Sequence, residues 1–87
     1  MTPMSEPETF RALILKQRTL ADGRLVPMRD VASACGVSRA WLYVLMAGQF
    51  VTVPSDTEEA LATGLNVTMR RLRRALRVTR QLAEIGA

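Results

Sequence analysis

The chain has no histidine and a single cysteine, Cys35. Without a second thiol there is no internal disulfide, and without imidazole the usual transition-metal ligand and general base are both missing. Aromatic residues make up only 5% of the sequence, so a core must be built from Leu, Val, Ala and Met. Lysine is almost absent. Lys16 is the only one among 12 cationic residues, and the rest are arginine, whose planar fork bonds two phosphate or carboxylate oxygens at once. No apolar run nears the roughly 18 residues of a membrane span. The first residues lack the basic-then-apolar pattern of a secretion signal, so the expected setting is a reduced, bacterial-type cytoplasm without membrane attachment. No nucleophile stands beside a base in a recognisable pattern. Asp22, Asp30 and Asp56 are the acids that could meet in space, but neither an enzyme nor a bound cofactor or metal is expected.

What remains suits one compact helical domain. The 87 residues are 48% hydrophobic, with 4 prolines and 5 glycines spread thinly, and they carry a formal charge of +4. A domain this small has a high ratio of surface to volume, so a homodimer is expected to add burial. Residues 1–5 read as a flexible tail and 6–85 as the domain. Ser5 and Glu8 form a capping box for a helix from Glu6 to about Asp22, with Gly23 as its stop and Phe10, Leu13, Ile14 and Leu20 on its inner face. A short extended connector over 24–27 ends in Pro27. Further on, Phe50 to Val53 form an extended apolar connector, packed on the core or paired as a short strand. Ser55 and Glu58 form a second capping box, Asn66 takes a left-handed turn, and Thr68 caps a last helix reaching Ile85.

The chain is organised around residues 28–48. Val31, Ala32 and Cys35 give a first helix one small, apolar face. Gly36 supplies the left-handed residue at its end, Val37 plugs the core, and Ser38 caps a second helix whose inward positions are Leu42 and Leu45. At about 100° per residue, the opposite face carries Arg39, Ala40, Tyr43, Val44 and Ala47. Trp41 lies between the two faces and reads as packing.

This pattern resembles the helix-turn-helix of the phage-repressor family, the Xre-like group that includes the lambda repressor and Cro. The matching residues are Val31, Ala32, Gly36, Val37, Ser38, Leu42, Leu45 and Gly48, followed by a proline-started helix, and the likeness extends over roughly residues 8–77. It implies an all-α, five-helix domain and a dimeric regulator of transcription that binds double-stranded DNA as an inverted repeat. The resemblance implies that Ser38, Arg39, Ala40, Tyr43, Val44 and Ala47 meet base edges in the major groove, with Arg39 suited to guanine and the small apolar residues to thymine methyls. Arg29, Gln49 and Thr52 would lie near phosphate. Two departures keep another class open: Met28 stands where relatives commonly carry Gln, and the Ala40, Val44, Ala47 face is unusually apolar. The alternative is a module that grips an acidic protein partner.

The last helix is a second charged surface. Arg70, Arg71, Arg73, Arg74, Arg77 and Arg80 fill one half of its wheel, and Met69, Leu72, Ala75, Leu76, Val78, Leu82 and Ile85 fill most of the other. The basic half can be a solvated face, a phosphate- or acidic-partner-facing stripe through Arg70, Arg73, Arg74 and Arg77, or a surface for anionic membrane. Val78, Leu82 and Ile85, spaced by four and three, are the candidate dimer contact. A shift of 30 residues also lays Val31, Ala32, Gly36, Val37, Ser38 and Leu42 on Leu61, Ala62, Asn66, Val67, Thr68 and Leu72. The second helix pair therefore imitates the first, as a shared packing solution or as a rival recognition helix.

Overall fold

The computed structural model describes residues 7–49 and 52–85, and within them the chain forms five α-helices and no named strand. These are α1 (Phe10–Arg18), α2 (Met28–Cys35), α3 (Arg39–Met46), α4 (Ser55–Leu65) and α5 (Met69–Ile85). None is long and apolar enough to cross a membrane. The core is aliphatic, as the scarcity of aromatics requires: Leu13, Ile14, Leu42, Leu61 and Leu72 are fully buried around Phe10 and Cys35. Burial pushes the Cys35 thiol up, so it stays a neutral, apolar filler.

Both helix pairs turn in the same way. After α2, Gly36 adopts a left-handed conformation, its N–H donates to Ser33 O at 3.1 Å, and the Val37 N–H donates to Ala32 O at 3.0 Å. After α4, Asn66 is left-handed, donating to Thr63 O at 3.1 Å, while the Val67 N–H donates to Ala62 O at 2.9 Å. In each case the turn satisfies carbonyls that the helix leaves without partners. The next helix is then capped by a hydroxyl: Ser38 accepts from the Trp41 N–H and Thr68 from the Arg71 N–H, both at 3.1 Å.

The two pairs meet where α2 crosses α4. A Cβ on Gly64 would lie 2.7 Å from the Ala34 carbonyl oxygen and 2.7 Å from Cys35 Sγ, so the crossing needs a residue with no side chain. The contact is reciprocal under the same 30-residue shift. Ala34 meets its equivalent Gly64, Cys35 Sγ lies 4.0 Å from Leu61 O, and Val31 and Leu65 line one cavity together. Equivalent positions of the two pairs thus meet one another at the crossing.

The first helix acts as a strap and begins later than the capping box predicts. It starts at Phe10 with Thr9 as cap, the Thr9 hydroxyl accepting from the Ala12 N–H at 3.1 Å, and Ser5 and Glu6 lie outside the described residues. It stops at Arg18, because the Val26 N–H donates to Arg18 O and Arg18 Nε returns a bond to Val26 O. Gly23 consequently turns a small loop closed by a Thr19–Leu25 bridge, and Leu20 is 43% exposed instead of buried. Pro54 occupies the cap position of α4 and no side chain caps it, so Ser55 is its first residue and not its cap. Phe50 and Val51 lie outside the described residues, so the connector's packing is described only from Thr52 onward.

Two polar side chains fasten the strap. Thr79, buried in the apolar seam of α5, accepts from the Phe10 N–H at 2.7 Å and donates to Ala75 O at 2.8 Å. Its hydroxyl thereby satisfies a helix-start donor 69 residues away in the chain. Gln17 Nε2 donates to Leu65 O at 2.9 Å, satisfying the end of α4.

Because the atoms against Gly64 include backbone, Gly64→Ala is expected to destabilise the domain by about 1–3 kcal/mol through overpacking. A urea midpoint unchanged from wild type would contradict the close crossing.

Candidate nucleic-acid interface

The exposed side of α3 follows from its cap and its two inward leucines. Ser38 fixes where the helix starts, and Leu42 and Leu45 anchor it in the core. Arg39, Ala40, Tyr43 and Ala47 then face outward, with Tyr43 51% exposed, whereas Val44 is half-buried and Trp41 packs against the core. Among the described residues, Arg39 has no acidic partner within salt-bridge distance, so its guanidinium is available to an external acceptor. The Ser38 hydroxyl is committed to capping and has less left to offer a base.

The remaining expected contacts divide into separate places. Arg29 lies on α2 with its Nε 3.9 Å from Asp30 Oδ1. Gln49 is exposed just past α3. Thr52, together with Val53, lines a cleft of about 380 Å³ beside Glu58, Arg73, Arg77 and Arg80. Ala47 lines a groove with Met46, Arg11 and Leu82. The three aspartates do not gather. Asp22 pairs with Arg24 and Asp30 approaches Arg29, and among the described residues no group of three metal-ligating side chains forms.

The arginines of α5 are not equivalent. Arg71 forms a two-pronged pair with Glu8, Nε to Oε1 at 2.9 Å and Nη2 to Oε2 at 2.8 Å. Arg73 reaches Glu58 at 3.3 Å. Glu8 and Glu58, the acids expected in capping boxes, are both partners of α5. Arg70, Arg74 and Arg77 stay exposed, and among the described residues none has an acid within salt-bridge distance, although Arg74 acts electrostatically on Glu8. The contact with Arg71 is what sequence reading missed, although an acid just before α1 facing a helix of arginines was a usable signal. Thr79, the one polar residue in the apolar stripe of α5, was another.

Of the expected dimer residues, Val78 is half-buried, while Leu82 is 52% and Ile85 80% exposed. The last turns of α5 also receive the end of α3: a Cβ on Gly48 would lie 2.6 Å from Ala83 Cβ and 2.9 Å from Thr79 O. The chain matches no family model, no curated protein and no solved structure.

The hydrogen bonds from Arg71 hold the Glu8 carboxyl below its ordinary value of 4.5, outweighing the opposing effect of burial. A carboxylate with a depressed folded pKa contributes stability above the unfolded pKa and loses it as pH falls through the folded one. Glu8→Gln is therefore expected to lower the Tm at pH 7, with the difference from wild type closing as the pH drops below 4.5. A difference that persisted unchanged at pH 2–3 would mean that the pair contributes packing and no charge.

Proposed function

We propose that the chain is a lambda-repressor-like helix-turn-helix protein that binds double-stranded DNA and regulates transcription as a homodimer. The observation that carries this is the α2–α3 pair: a left-handed Gly36 turn, a Ser38 cap, and a second helix that turns Arg39 and Tyr43 outward with no internal acid to hold Arg39. In this reading Arg39 bonds the O6 and N7 of guanine, a contact that discriminates by about 1–3 kcal/mol. Tyr43 bonds a base or phosphate, and Ala40 and Ala47 touch thymine methyls. Arg29 and Gln49 flank the helix as phosphate contacts.

The exposed Leu82 and Ile85, with Val78 beside them, form a stripe on α5 that two copies would bury against each other. Dimerisation would set the two α3 helices about 34 Å apart, one turn of duplex, and make the target an inverted repeat. A second reading draws on the same α3 face: Ala40 and Ala47 have no donors and are exposed, which suits an acidic protein with apolar contacts as well as it suits thymine.

The test is fluorescence anisotropy with two labelled duplexes at about 150 mM salt, one from upstream of the protein's own gene and one scrambled. Preferential binding by roughly a thousandfold is expected, with Arg39→Ala plus Tyr43→Ala erasing the preference. Equal weak binding to both duplexes would contradict sequence reading and favour the protein partner.

A further inference from the structure

The repeat that relates the two helix pairs also relates their outer faces. The turn bonds, the hydroxyl caps and the buried positions correspond: Ser38 with Thr68, Leu42 with Leu72, Leu45 with Ala75. Carrying the same 30-residue shift to the exposed side lays Ala40, Tyr43, Val44 and Ala47 on Arg70, Arg73, Arg74 and Arg77. The exposed Ala40, Tyr43 and Ala47 and the half-buried Val44 thus each have an arginine as counterpart on α5. No acidic residue interrupts α5 from Met69 to Ala83.

Placement separates this face from α3. α5 packs on α4 as α3 packs on α2. The end of α3 reaches α5 at Thr79 and Ala83, on its buried seam. At about 100° per residue, Arg70, Arg74 and Arg77 are centred on the opposite side of the helix from that seam.

We propose that α5 is a second duplex-docking helix, so that one chain holds two duplex segments at once, one through α3 and one through Arg70, Arg74 and Arg77. This rests on the reading that α3 binds DNA. The occupant follows from charge complementarity: a row of guanidiniums with no apolar residue among them suits regularly spaced phosphates, and its binding is independent of sequence. Arg73, at the edge of the row, is held by Glu58 at 3.3 Å and is left out of it. A regulator built this way tethers a neighbouring segment beside its site.

The experiment uses the full chain with donor- and acceptor-labelled duplexes, each about two turns long and carrying the preferred sequence, and reads energy transfer between them. Wild type is expected to bring the two together. Arg70→Ala, Arg74→Ala and Arg77→Ala combined should reduce that transfer at least tenfold and retain sequence preference on a single duplex. The same triple variant should make the salt dependence of total binding shallower by roughly 2–3 in log–log slope. The corresponding Lys variants should restore most of the transfer, because a phosphate contact needs the charge and not the fork. Transfer that survives the triple Ala variant, as it would if dimeric copies bridged through α3 alone, overturns the proposal. So does specific binding without transfer, the result expected if the row serves an acidic protein or an anionic vesicle. Loss of all single-duplex binding in the triple variant, with Arg39→Ala plus Tyr43→Ala harmless, would instead overturn the reading of α3.

Discussion

The crossing of α2 over α4 is the contact on which the rest of the fold depends. At that point the α-carbon of Gly64 sits against the Ala34 carbonyl with no space for a methyl group, and Cys35 fills the adjoining space. A crossing this close brings Val31, Leu61 and Leu65 into one core and fixes the two helix pairs relative to each other. Each pair then projects its second helix by the same device, a left-handed residue followed by a hydroxyl cap. The two helix pairs are therefore held together at a contact between two small residues, Ala34 and Gly64.

The strap completes what the crossing begins. An isolated helix of nine residues would be marginal in water, and α1 persists because its ends are held by other elements. Thr79 satisfies its first N–H, Gln17 reaches the end of α4, and Glu8 grips Arg71. Packing and polar closure thus meet where α1 lies on α5.

Much of this was legible locally. Gly36, Ser38, Asn66 and Thr68 act through hydrogen bonds to residues within five positions, so their roles could be read from spacing, and the buried leucines followed from helical period. What spacing does not register is a partner far away in the chain. Glu8 and Glu58 both sit where a capping box wants an acid, yet each is bound to an arginine of α5, 63 and 15 residues on. The end of α1 was misjudged because Arg18 turns back to Val26, a bond that helix propensity does not register. At the candidate interface, Arg39 and Tyr43 lie outward as the wheel requires, whereas Thr52 belongs to the arginine cleft of α5 and Ser38 to its own helix.

The charge of the molecule is divided in the same way as its fold. Arg71 and Arg73 are engaged by acids of other elements, while Arg39 on one helix and Arg70, Arg74 and Arg77 on another are exposed. The central claim is that Arg39 meets a guanine edge in the major groove. Its most direct measurement is protection of guanine N7 from methylation in duplexes selected by the protein from a random pool. The account predicts protected guanines in two half-sites about one helical turn apart, with the protection lost in Arg39→Ala. A pool with no enriched sequence, or protection that Arg39→Ala leaves intact, would contradict it.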